Sequence, residues 1–320
     1  FVLMEDIMGE QFNILLNQML MFFTLIIIGF VAQKVKLLVN ETIDGLSKLV
    51  VRLILPLMVF TTVVNGATIS GIAQKFPFFL FSFLMIFILV GIGILSSKLM
   101  RLPKPTSYIN TAIVGFPNTG FMGYPLLIAM FPETGPLAVA VYVIVDQVTF
   151  WTFMPVLTQK EITLKSINIM NMLKNPPFIA LILGIICISF KLHPSGVAWD
   201  TMTAVGGTCK YFALIYIGAD IGRRGFKTLV EKPKVFLTIP IKLIIAPIVV
   251  FFLFKFIGIL SSEDLMMITI LSMLPSMVVL CMLAADNGSD ADYATAGLIV
   301  TTLCSMATMP LVMKFLMAFL

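Results

Sequence analysis

The sequence predicts an all-α polytopic membrane protein with ten transmembrane helices, built as two inverted five-helix repeats. Three observations predict it: long apolar runs, basic residues concentrated in alternate loops, and a set of residues that recurs at a nearly constant offset. Of 320 residues, 59% are hydrophobic and 12% charged, with mean hydropathy +1.07. Soluble domains carry about 25% charged residues. A helix needs about 20 mostly apolar residues to cross the hydrocarbon core, and runs of that size recur along the chain. A membrane barrel would alternate apolar and polar residues instead.

The predicted spans are 12–33, 42–64, 76–98, 106–130, 135–157, 176–192, 197–221, 233–257, 264–286 and 291–317. Basic residues set their orientation. One face carries thirteen: Lys34, Lys36, Lys98, Arg101, Lys104, Lys160, Lys165, Lys174, Arg223, Arg224, Lys227, Lys232 and Lys234. The other carries four: Lys75, Lys191, Lys255 and Lys314. The richer face is expected to be cytoplasmic, with both termini outside, in the cell membrane. Residues 1–157 then form the first repeat and 176–320 the second. The connection 158–175 is amphipathic and is expected to join the halves, either as a hinge or as a helix lying on the membrane surface.

Other classes find little support. The opening FVLMED puts acidic residues ahead of the first apolar run, unlike a signal peptide. Cys187, Cys209, Cys281 and Cys304 lie in apolar segments without a CxxC pair, so they read as buried thiols. His193 stands alone in a loop, and neither a metal site nor a cofactor is indicated. The small basic excess reads as membrane orientation rather than nucleic-acid binding. No GxxxxGK[ST] phosphate loop occurs.

The repeat is read from four pairs. Lys36-Leu37 returns as Lys191-Leu192 after 155 residues, and Pro77 as Pro233 after 156. Pro117 returns as Pro275 after 158, and Met154-Pro155 as Met309-Pro310 after 155. Five spans is an odd number, so the second copy enters the membrane from the opposite side. Inverted repeats are typical of secondary transporters, whose substrates bind near the midplane where the halves meet.

Two spans carry the strongest breaks. The fourth reads SYINTAIVGFPNTGFMGYPLLIAMF, with Gly115, Pro117, Gly120, Gly123 and Pro125 close together. The ninth breaks at Pro275 and Ser276. Proline removes a helix donor and clashes with the preceding turn, and unwound chain at membrane depth usually lines a cavity.

GFPNTGFMGYPL, LPSMVVLCMLAADNGSD and the ten-span layout together resemble the auxin efflux carrier family in its compact bacterial form. That resemblance covers essentially the whole chain. It implies a fold like those of bile-acid symporters and sodium/proton antiporters, with helices 4 and 9 crossed at their breaks. It also implies organic-anion binding there, at Pro117, Asn118, Thr119, Pro275 and Ser276. A scaffold of spans 1, 2, 6 and 7, a transport unit of spans 3–5 and 8–10, elevator motion and homodimers are implied as well. The long hydrophilic central loop of the plant carriers is missing, so auxin itself is not implied.

Ionisable residues inside spans are functional candidates. Asp146, followed by Gln147, stands eleven residues into the fifth span. Lys210 lies deep in the seventh, and Arg52 occupies the corresponding place in the second. The excess of deep cations suits an anionic substrate. Asp146 reads as a coupling group or as a structural partner for one of the cations. Arg52 and Lys242 read equally as side chains snorkelling to an interface. Asp220 reads as a solvated partner of Arg223 and Arg224. Rival readings are a sodium-coupled symporter of a bile-acid-like anion, a sensor of carrier fold, and, remotely, an intramembrane aspartyl protease using Asp146 and Asp220.

Overall fold

The structure, a computed structural model, describes residues 2–161, 170, 173–192 and 194–320, with the main chain alone for 2–10. Most of the expected connection at 158–175, and His193, lie outside the described residues. Each of the ten predicted segments is helical. Among the described residues, six helices are long and apolar enough to cross a membrane. They fall in α1 (Val2–Lys34), α2 (Asn40–Gly66), α3 (Phe76–Leu99), α6 (Gly135–Leu157), α10 (Pro233–Ile257) and α13 (Ala291–Met317). The others are short or interrupted. The fourth segment is α4 (Thr106–Gly115) and α5 (Thr119–Met130); the sixth is α7 (Pro176–Ser189). The seventh is α8 (Val197–Gly207) and α9 (Cys209–Arg224), and the ninth is α11 (Ser262–Met273) and α12 (Val279–Asp286). The chain is a multi-pass membrane protein.

The seventh segment was expected to be continuous. It turns at Thr208, whose hydroxyl donates to the Val205 carbonyl at 2.6 Å, just after Gly206 and Gly207. Three π-helical turns also went unforeseen: Val50–Ile54, Thr119–Gly123 and Ile241–Ile245. Each ends one residue before an Xaa-Pro pair (Leu55-Pro56, Tyr124-Pro125, Ala246-Pro247). A helical proline offers no N–H to the carbonyl four residues back and crowds it; widening the preceding turn relieves the clash.

Close helix crossings depend on glycine. A Cβ at Gly29 would lie 2.0 Å from the Ile215 carbonyl oxygen, and one at Gly218 would lie 1.9 Å from that of Ile26. These two positions let α1 and α9 meet backbone to backbone, as small residues allow between membrane helices. The α2–α7 crossing has a counterpart at the repeat offset, where Gly184 faces Val63 and Phe60. Gly29 and Gly184 are 155 residues apart, as are Phe60 and Ile215.

The helix ends repeat as well. Lys36 and Lys191 both take left-handed backbone, φ 62° and 53°. After each, the next N–H reaches back five residues: Leu37 to Ala32 at 2.8 Å and Leu192 to Cys187 at 3.0 Å. This hydrogen-bond pattern closes a helix C-terminus.

A polar cluster joins helix starts at each end of the bundle. Lys75 pairs with Asp264 at 2.5 Å, beside Thr134 on Glu263. At the other end Lys232 pairs with Asp290 at 3.0 Å, beside Thr106 on Asp290 at 2.6 Å. The length of α10 separates Lys232 from the Gly258 turn that leads to Asp264, so the clusters lie at opposite ends. Lys75 and Lys232 are 157 residues apart, Thr106 and Glu263 also 157, and Thr134 and Asp290 156.

Candidate functional site

The two breaks meet. Pro117 and Ser276 form an antiparallel bridge, in which the Asn118 N–H donates to the Pro275 carbonyl at 2.8 Å. The Ser276 N–H donates to Thr301 Oγ1 at 3.0 Å. Pairs like these satisfy backbone that neither helix nor water can serve at this depth. A proline break removes the helical partners of nearby carbonyls, which could leave them free for a ligand. They are instead engaged: Pro275 by Asn118, Pro117 by the Thr119 N–H at 2.9 Å, and Val114 by Lys242 Nζ at 2.9 Å. Lys242 therefore does not snorkel. It is fully buried, and its ammonium serves the broken end of α4.

Beside the bridge lies a cavity of ≈ 220 Å³. Asn118, Gly120 and Phe121 reach it from the start of α5, and Met277, Val278 and Val279 from the approach to α12. Asp146, Gln147, Phe150 and Trp151 of α6 form one wall. The first N–H groups of a helix have no partner within it, and its start carries partial positive charge. Two helix starts thus converge on one small space. Asn118 Nδ2 and Trp151 Nε1 are both buried without a hydrogen-bond partner. A buried donor left unpaired costs about 1–3 kcal/mol, so both favour an acceptor-rich occupant.

Asp146 is the charged side chain of this lining. Its Oδ1 accepts from the Thr119 hydroxyl at 2.8 Å; its Oδ2 accepts from Tyr124 at 3.0 Å and Gln147 at 3.3 Å. Gln147 in turn accepts from Asn175 Nδ2 at 2.6 Å. The carboxylate is thereby turned toward α5 and ties α6 to the break.

Residues 14–313 match the family described as membrane transport protein. The chain belongs to that family. The expected kinship with the auxin efflux carriers, which it contains, holds over nearly the full length. An uncharacterized transporter of Methanothermobacter thermautotrophicus is 23% identical over 292 residues, covering 90% of this chain and 93% of that protein.

In this membrane transport protein the break residues meet at the crossing, and of the expected set Asn118, Thr119, Asp146 and Gln147 line the cavity while Pro117 and Pro275 do not. Ser276 does not line the cavity; it is fully buried, its hydroxyl unpaired, and the residues after it form the wall. Neither expected cation reaches the space. Arg52 is exposed, and Lys210 is half-buried beside a different cavity. Asp220 pairs with Arg223 and Arg224, as expected, yet the carboxylate is fully buried rather than solvated. Sequence reasoning missed Phe150, Trp151 and Asn175. The spacing 146, 147, 150, 151 marks one helix face and could have found the first two. Asn175 comes from a loop and left no such signal.

Proposed function

We propose that this membrane transport protein is an elevator-type secondary carrier moving a small organic anion of the carboxylate class across the cell membrane. One observation carries the reading: two interrupted helices cross and bring their starts to one small cavity, whose lining residues Asn118 and Trp151 each keep an unpaired N–H donor. A carboxylate offers acceptors to those donors and negative charge to those helix ends. The converging helix starts take the part that Arg52 and Lys210 were expected to play. Asp146 has both oxygens engaged by protein donors, so it acts by holding Thr119 and the start of α5 in position.

The ten-span inverted repeat belongs to the same proposal. The matched left-handed helix ends, the matched glycine crossings and the two end clusters support it. Contacts of α1 with α9 and of α2 with α7 and α8 support a scaffold of spans 1, 2, 6 and 7. Spans 3–5 and 8–10 then form the moving unit, in a homodimer whose termini lie outside.

A thermal-shift screen of the purified protein against mono- and dicarboxylates, with and without sodium, tests the function. A ligand at 100 times its Kd stabilises the folded state by about 2.7 kcal/mol. At least one carboxylate should raise the Tm of the parent and fail to raise that of Asn118→Ala. Stabilisation by carboxylate only when sodium is present would favour a sodium-coupled symporter. No response to any anion would reject the substrate class.

A further inference from the structure

The seam that holds the crossover cavity holds a second one. Val51 and Leu55 of α2 border the first, while Met58, Thr61 and Thr62, further along the same helix, border a space of ≈ 420 Å³. Opposite them the first cavity meets Gly120 and Phe121 of α5, and the second meets Pro125, Ile128 and Ala129. At about 1.5 Å per residue the two lie roughly 10 Å apart along the seam. The first opens beside Asn175, so the second lies toward the other end of the bundle.

Lys210 stands in this second cavity, in the first turn of α9 where the chain resumes after Thr208. The lining contains no Asp or Glu. Among the described residues no carboxylate pairs with Lys210; its ammonium lies 5.0 Å from the centre of the Tyr211 ring. The hydroxyls of Thr62 and Thr203 complete a lining able to hydrogen-bond a polar group. A half-buried ammonium with no carboxylate partner on the protein can pair with a bound anion. The start of α9 contributes positive potential to the same side.

We propose that the Lys210 cavity is a second carboxylate site, where the anion waits at the end of the seam opposite Asn175 before or after occupying the crossover cavity. It rests on the reading that the carrier moves carboxylates. Lys210 acts there as a direct partner of the carboxylate, and the crossover site does not depend on it.

The chain has two tryptophans, and they report the two sites separately. Trp151 lines the crossover cavity. Trp199 packs on Phe60, ring centres 5.7 Å apart, one α8 turn before the cavity-lining Thr203. The probe is 4-nitrobenzoate, a quenching carboxylate, with uncharged 4-nitrobenzamide as its control. In purified Trp151→Phe, quenching of Trp199 should saturate with the benzoate far more readily than with the benzamide. Lys210→Met should raise the half-saturating concentration at least tenfold, and Lys210→Arg should largely restore it. In Trp199→Phe, quenching of Trp151 should ignore Lys210→Met and respond to Asn118→Ala. Unchanged Trp199 quenching in Lys210→Met, or equal quenching by benzoate and benzamide, overturns the second site. Loss of carboxylate quenching at Trp151 with retention at Trp199 would instead count against the crossover reading and leave the second site standing.

Discussion

Asn118 concentrates the chemistry of the crossover in one side chain. Its backbone N–H is spent on the Pro275 carbonyl, while its Nδ2 is buried without a partner. Removing the amide deletes a donor and leaves the bridge intact. Asn118→Ala should therefore express, insert and melt like the parent, yet bind an identified carboxylate at least tenfold more weakly. A lost hydrogen bond to a charged group, worth about 1.5–3 kcal/mol, sets that scale. Normal affinity in a normally folded variant would show that the amide faces no ligand. Thr119→Val should weaken binding less, because its hydroxyl is already engaged with Asp146 while the Asn118 amide has no partner. Side-chain chemistry of this kind was legible in the motif. The azimuth of the cations was not: repeat register sets the depth of Arg52 and Lys210, whereas helix rotation and neighbours decide which way each points. Lys242 shows the same limit, since nothing local in its sequence announces the Val114 carbonyl it serves.

At the scale of helices, the breaks were legible because proline and glycine act locally. The π turns were less so, because widening one turn upstream of a proline is only one way to relieve it. The turn at Thr208 had a signal in Gly206-Gly207 that apolar periodicity overrode. Helix packing makes sharper predictions. Gly218→Ala would drive a Cβ into the Ile26 carbonyl, where only backbone can yield. It should destabilise by about 1–3 kcal/mol, the range for overpacking, and lower the Tm. Gly45→Ala, in α2 with open space at its Cβ, should leave the Tm unchanged or raise it, since glycine weakens helices by about 0.5–1 kcal/mol. A Gly218→Ala protein as stable as the parent would mean that α1 and α9 do not cross so closely.

Asp290 makes the other prediction at this scale. It accepts from the Tyr293 N–H at the start of α13 and from Thr106 and Lys232. Burial pushes its carboxyl up, but the Thr106, Lys232 and Tyr293 donors together hold it below the usual value. The stability from that shift is complete above the ordinary aspartate value of about 3.9 and is lost as pH falls through the lower folded value. Asp290→Ala should therefore lower the Tm at neutral pH, and its gap to the parent should narrow in acid. A gap that stays constant into acid would exclude the linkage.

For the whole molecule, the proposed repeat rests on proline spacing and on backbone events that match at nearly the same offset. Ion pairs between residues distant in sequence, such as Lys75 with Asp264 and Lys232 with Asp290, could be found only in three dimensions. Orientation rests on thirteen basic residues against four. In a cysteine-free background, Asn13→Cys should react with an impermeant thiol reagent in intact cells, and Val230→Cys should not. The reverse pattern would invert the protein in the membrane while leaving its fold untouched.

The central proposal is that the substrate sits in the crossover cavity. The most direct measurement is an experimental structure of the purified carrier with a carboxylate that raises its Tm. The account predicts ligand density within hydrogen-bond reach of Asn118 Nδ2 and Trp151 Nε1, with its carboxylate toward the starts of α5 and α12. Density more than a helix diameter, about 10 Å, from Asn118, with the crossover cavity unfilled, would contradict it.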